Sequence, residues 1–125
     1  MHVAYMVHKS NSGDPRAMPG DMVIQLAFAN NTRLASIFWS RPMGVLEPGA
    51  LADIILLDYT PFTPLTDGNF PWHIIFGLDG SQVTHTMCAG KWLMKDRQLL
   101  TLDEAAVSAR AHELARRVWQ RVNEL

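Results

Sequence analysis

A single cysteine, Cys88, leaves the chain unable to form an internal disulfide or a thiolate zinc cage, chemistry that suits a reducing cytoplasm. Charge is also scarce. Lys, Arg, Asp and Glu make up 18% of the residues and the formal net charge is −1, so no general field draws in nucleic acid or anionic lipid. No stretch reaches the ~18 consecutive apolar residues of a membrane span. The opening MHVAYMVHKSNS lacks the basic-then-apolar order of a signal peptide. The expectation is a soluble, cytoplasmic protein with neither nucleic acid nor membrane as a partner.

Catalytic patterns are equally sparse. His2, His8, His73, His85 and His112 form no H-x-H and no H-E-x-x-H, and none has a carboxylate at the spacing of a known metal helix. For each, a surface or packing histidine is the plainer reading. No serine sits in a G-x-S-x-G elbow. Gly77 to Gly80, GLDG, lacks the strand-turn-helix setting of a phosphate-cradling loop. Cys88 has only Met87 and Ala89 beside it, neither of them a base, and reads as a buried strand cysteine. His73 is the best placed histidine, at the end of a Pro-rich loop, and with Asp79 it is the one pair worth testing as a cleft. Gly13-Asp14-Pro15-Arg16 is a polar patch that reads as a solvated loop.

What is present is apolar residue in quantity: 48% of 125, with seven methionines and four tryptophans. That length suits one domain burying roughly two-thirds of its unfolded surface. A well-filled core accounts for the composition, and so does a face covered by a partner.

Along the chain, Val3 to Lys9 suits one or two uncapped helical turns, and Ser10 to Pro15 a loop. Pro19-Gly20-Asp21 introduces a helix with Met22, Leu26 and Ala29 at i, i+4 and i+7, widened by Val23 and Ala27. Asn30-Asn31 is expected to interrupt it and start another helix from Thr32 to about Phe38, and Arg41-Pro42 to close the helical part. The stretch Met43 to Asp58 is a corner. Pro48-Gly49 fits a type II turn, and Ile54-Ile55-Leu56-Leu57 suits a strand buried on both faces or a short helical piece. Two β-branched residues directly after a tight turn favour the strand.

Tyr59 to Gly68 reads as loop, and Asn69 caps a short helix that Gly77 ends. Val83, His85, Met87 and Ala89 alternate with Thr84, Thr86 and Cys88 as a strand; Gly90-Lys91 connects it to Trp92–Lys95 as a hairpin. Thr101 and Glu104 have capping-box spacing for a helix from Leu102 to about Asn123, striped by Val107, Ala111, Leu114, Val118 and Val122. Helices, a strand, a short helix, a hairpin and a long helix make α+β the expected class.

Three segments together resemble a known family. Asn30-Asn31-x-x-Leu34-Ala35 is followed by Gly44-x-Leu46-Glu47-Pro48-Gly49-Ala50-x-Ala52-Asp53 and an apolar strand to Asp58. Downstream stands Val83-x-x-Thr86-Met87-Cys88-Ala89-Gly90-Lys91. This pattern is similar to the C-terminal signature of the amidohydrolase superfamily. Asp58-Tyr59-x-Pro61-x-Thr63-Pro64-Leu65 and Asn69 resemble its aminohydrolase and chlorohydrolase branch, related to cytosine, guanine and triazine hydrolases.

The resemblance implies a (β/α)₈ barrel with a small composite β-sandwich. Residues 1–42 would be helices ending the barrel, 43–100 the C-terminal share of the sandwich, and 101–125 a C-terminal helix. It implies a parent that hydrolyses a C–N or C–Cl bond of a small N-heterocycle with a divalent metal, zinc or iron. None of the family's metal ligands falls on this chain, since its metal aspartate would precede Met1. No catalytic, cofactor-binding or metal residue is therefore assigned, and the chain alone is expected to be inactive. Arg97 departs from the pattern, standing where an Asp-Gly turn is usual. The partner would be the missing N-terminal barrel segment or a second copy, as in a homo-oligomer. The alternative is a stand-alone, self-associating structural or binding module.

Overall fold

The computed structural model describes residues 1–124 and has the α+β architecture expected, with a four-stranded antiparallel sheet and a long final helix. Helix α1 spans His2–Ser12 and starts, as its sequence suggests, without a side-chain cap. It runs three residues beyond Lys9, through Ser10-Asn11-Ser12, which the sequence places in a loop. Gly13 stops it by adopting φ 65, the left-handed conformation that glycine enters without a Cβ clash. Lys9 closes the following loop: its Nζ donates to the carbonyls of Pro15 (2.6 Å) and Ala17 (2.7 Å).

Residues 20–38 form one uninterrupted helix in three parts: α2 (Gly20–Ile24), a π-helical stretch (Gln25–Asn30) and α3 (Asn31–Phe38). The interruption expected at Asn30-Asn31 does not occur. Both residues keep right-handed helical angles, and Asn31 Nδ2 donates back to the Ala27 carbonyl at 3.1 Å instead of capping a new start. The inward side also differs from expectation. Val23 is buried and Ala27 half-buried, whereas Met22, Leu26 and Ala29 are exposed.

The helical core gathers where α1 and α2 meet a second short helix, α4 (Phe70–Trp72), and its π-helical continuation His73–Gly77. Tyr5, Trp72 and Phe76 pack there, Tyr5 edge-on to both others and Trp72 stacked on Phe76. Gly20 lets Trp72 sit against the α2 backbone, because a Cβ there would lie 3.0 Å from the indole ring. The buried apolar residues among those described are Val23, Ile74 and Ile75.

The corner forms as its sequence dictates. Gly49 has φ 93, and the Ala50 N–H donates to the Glu47 carbonyl at 3.2 Å across Pro48-Gly49. Strand β1 (Ile54–Leu57) follows, but it is not buried on both faces: Ile55, Leu56 and Leu57 are all exposed. It stands at one edge of the sheet order β1-β2-β3-β4, and among the described residues no layer covers these side chains.

β1 pairs with β2 (Val83–Cys88) through Ile55↔Thr86 and Leu56↔His85, with a bulge before Leu57. β2 pairs with β3 (Lys91–Lys95), Cys88 facing Lys91. The connection is therefore Ala89-Gly90, not Gly90-Lys91. Both residues have positive φ, 48° and 79°, which is what a two-residue hairpin of matching twist requires. A further short strand, β4 (Gln98–Leu99), was not legible in the sequence. Asp96 and Arg97 form its turn at φ 49° and 63°, so Arg97 adopts the conformation usually left to glycine.

The final helix, α5, spans Glu104–Asn123. Its cap is Asp103, whose carboxylate accepts from the Ala106 N–H at 2.9 Å, so the Thr101/Glu104 capping box is replaced by a cap two residues later. No residue of α5 is buried. Accessible surface for the chain is 9879 Å², against roughly 6,700 Å² for a self-contained folded protein of 14.0 kDa. About 3,200 Å² is in excess, well above the roughly 800 Å² that one partner contributes to a standard interface.

Candidate functional site

The loop from Tyr59 to Asn69 is held down by its own polar residues. Asn69 does not cap α4 with its side chain; it accepts from the Thr66 N–H and donates to the Pro64 carbonyl, both at 2.8 Å. This leaves the loop lying over the first turns of the following helix, with Tyr59 and Thr63 facing His73.

His73 is the one histidine whose two ring nitrogens both meet hydroxyls. Tyr59 Oη lies 2.5 Å from Nδ1 and Thr63 Oγ1 3.2 Å from Nε2. A hydroxyl can donate or accept, so either ring tautomer is satisfied. Gly77 makes the approach possible: a Cβ there would lie 2.5 Å from Tyr59 Oη. The π-helical turn ends at this point, with the Leu78 N–H donating to the His73 carbonyl at 3.0 Å. Around the triad Phe62, Trp72 and Phe76 line an open cleft of about 340 Å³.

Asp79 does not join this cleft. Its carboxylate caps the 3₁₀ turn Gly80–Gln82, accepting from the Ser81 N–H at 2.7 Å and the Ser81 hydroxyl at 2.5 Å. The Ser81 hydroxyl and then the Ser81 N–H hold the Asp79 carboxyl below its ordinary range. Asp79 lines a separate, mostly apolar cavity of about 610 Å³ with Phe28, Ile55, Leu57 and Ile74. The pairing of His73 with Asp79 in one cleft is thus not made.

Cys88 is exposed, not buried, because it ends β2 where the hairpin turns away. It does have a carboxylate beside it, which its sequence neighbours do not reveal. Hydrogen bonding to Asp53, and then the negative charge of that residue, push the thiol above its ordinary value of 9.0. A thiol held protonated is the opposite of an activated nucleophile. Asp53 also accepts from the Ala89 N–H at 2.6 Å, joining the corner to the hairpin turn.

His85 stands on β2 with Nδ1 2.9 Å from Thr84 Oγ1, Nε2 3.4 Å from Asp96 Oδ1 and its ring edge-on to Trp92. Asp14 and Arg16 of the loop patch pair with each other at 3.1 Å, at the surface. Among the described residues, no three His, Cys, Asp or Glu side chains gather closely enough to hold a metal ion, and no helix is long and apolar enough to cross a membrane. The arrangement is one of hydroxyls fastening a loop onto a helix through an imidazole. It contains no activated nucleophile and no metal centre.

Comparison with known proteins gives a consistent picture. No family model matches the chain. It is 33% identical over 125 residues to a 5'-deoxyadenosine deaminase of Methanosarcina mazei, a match covering 98% of this chain and 28% of that protein. A 5-methylthioadenosine/S-adenosylhomocysteine deaminase of Haloarcula marismortui is 35% identical over 126 residues, covering 99% of this chain and 28% of its own. Among solved structures, a zinc-bound adenosine deaminase of Xanthomonas campestris superimposes with a TM-score of 0.71 at 25% identity, over 95% of this chain and 27% of that one. The chain therefore spans little more than a quarter of the length of the relatives it matches.

Proposed function

We propose, for a chain related along nearly its whole length to amidohydrolase-superfamily deaminases, that it is the C-terminal segment of a metal-dependent deaminase of adenosine-type nucleosides. The reaction is hydrolysis of an exocyclic C–N bond with release of ammonia. The relatives' names favour this C–N chemistry over C–Cl hydrolysis, and an adenosine-type substrate over cytosine or guanine.

In this reading residues 1–42 close a catalytic barrel, 43–100 are one share of a composite sandwich, and 101–125 are a terminal helix. The metal would activate water, and its ligands would lie on the barrel segment outside this chain. The observation that carries the reading is the excess of about 3,200 Å² of surface over a self-contained fold. A segment built to lean on a barrel would expose that much when alone.

The test is reconstitution. The chain is purified alone and also co-expressed with a barrel segment from one of the matched deaminases. Ammonia release from 5'-deoxyadenosine and 5-methylthioadenosine is then measured alongside metal content. The expected result is activity and bound metal in the pair and neither in the chain alone. Deamination, or stoichiometric zinc or iron, in the chain by itself would overturn the proposal.

A second reading, a self-associating module, is favoured by one observation: the apolar stripe of α5 is exposed from Val107 to Val122.

A further inference from the structure

A helix in a protein draws most of its stability from packing an amphipathic face, and α5, 20 residues long with none of them buried, carries such a face unused. Val107, Ala111, Leu114 and Val118 follow the 4-3-4 spacing of a coiled-coil seam, and all four are exposed. On one flank the residues are small, Ser108 and Ala115, which permits close approach of another helix. On the other flank Arg110 and Arg117 both reach Glu113 of the same helix, at 2.5 Å each.

The ends of the seam decide what fits it. One step before Val107 in the same spacing stands Glu104, and one step after Val118 stands Arg121. A second α5 laid antiparallel, with Ala111 opposite Leu114, also sets Val107 opposite Val118 and Glu104 opposite Arg121. By two-fold symmetry each of these pairs occurs twice. A parallel arrangement would instead set Glu104 on Glu104 and Arg121 on Arg121. Two like-charge approaches occur in the antiparallel pair: Arg110 to Arg117, offset by the Glu113 that already lies between them on each helix, and Asp103 to Glu124 at the exposed helix ends, where solvent screens it.

We infer that α5 is a pairing surface for a second copy of this chain, joined antiparallel through Val107, Ala111, Leu114 and Val118 and closed at both ends by Glu104–Arg121 ion pairs. The seam is about 27 Å long from residue 104 to 121, a modest interface of the weak, reversible class. The inference does not depend on the deaminase reading, since it concerns mass and not activity.

Multi-angle light scattering and sedimentation of the intact chain at about 100 μM test it, with helix content followed by circular dichroism. The wild type should run at twice 14.0 kDa, and Val118→Asp should run as a folded monomer. Glu104→Arg and Arg121→Glu, each alone, should weaken pairing about tenfold. An equimolar mixture of those two variants should recover wild-type association, because each mixed pair then brings opposite charges together at both ends. A monomeric wild type, a dimer indifferent to Val118→Asp, or a mixture no tighter than its components would each refute the inference.

Discussion

Replacing Ala89 by glycine should stabilise the chain, a result opposite to the usual effect of glycine within a strand or helix. Ala89 is exposed, stands at φ 48°, and heads the β2–β3 turn. An L-residue in that region costs roughly 1–2 kcal/mol relative to right-handed backbone. Glycine removes that cost and adds back about 0.4–1 kcal/mol for its greater freedom in the unfolded chain. The net gain expected for Ala89→Gly is about 0.5–1 kcal/mol. Ala89→Val should lose stability, since a branched Cβ tolerates positive φ least.

Asp53→Ala provides the control. It deletes the acceptor of the 2.6 Å hydrogen bond from the Ala89 N–H, which at this exposed site should cost about 0.5–1.5 kcal/mol. Urea unfolding followed by tryptophan fluorescence reads all three, with stability differences taken from midpoints at constant slope. If Ala89→Gly were neutral or destabilising at unchanged slope, the left-handed turn would be wrong, and an Asp53→Ala variant as stable as the wild type would refute its anchoring by Asp53.

The Cys88 thiol should remain protonated above pH 9.0, since Asp53 raises its folded-state value; its favourable contribution is present below the unfolded value and lost as pH rises through the folded one. Its reaction with a thiol reagent should therefore reach half-maximal rate above pH 9.0, and Asp53→Asn should move that midpoint down. Asp79 has the opposite sign: its carboxyl is depressed, so its contribution is present above 3.8 and lost as pH falls through the lower folded value. Acid titration of Asp79→Asn should show a flatter fall in stability below pH 4 than the wild type. Gly77→Ala should displace Tyr59 from His73, because its Cβ would lie 2.5 Å from Tyr59 Oη. A loss of about 1–3 kcal/mol is expected, with faster amide exchange in residues 59–69; unchanged exchange would argue against the loop being fastened there.

Where local chemistry decides the backbone, the sequence reads correctly. Pro48-Gly49 makes its turn, Ile54–Leu57 its strand and Val83–Cys88 its partner. Misreadings arise where two local rules compete. Asparagine at 30 and 31 can cap or continue a helix, and the backbone continues because the 20–38 helix packs through Val23 and Ala27 on its own side. Thr101 and Asp103 both cap well, and the carboxylate nearer Ala106 does so.

The Tyr59–His73–Thr63 cluster was partly legible. His73 stands out in the sequence by its position after the Pro-rich loop, but its hydroxyl partners lie 14 and 10 residues away and no spacing rule links them. Burial was the least legible property, and β1 and α5 show why. Apolar periodicity reports which face a residue occupies, not whether anything covers that face.

The π-helical stretch Gln25–Asn30 changes the bearing of everything after it. A wider turn advances each residue by less than the 100° of an α-helix, so the direction carried forward from Val23 no longer points inward by the time the chain reaches Leu34, Ile37 and Phe38. Those three are 57%, 74% and 72% exposed, although they follow the same helix that buries Val23 to 2%. One rod thus presents two faces, packing on the Trp72 cluster with its first turn and leaving an apolar face exposed in another direction with its last. Restoring α-helical pitch by deleting a residue within 25–30 would swing that second face back toward the first.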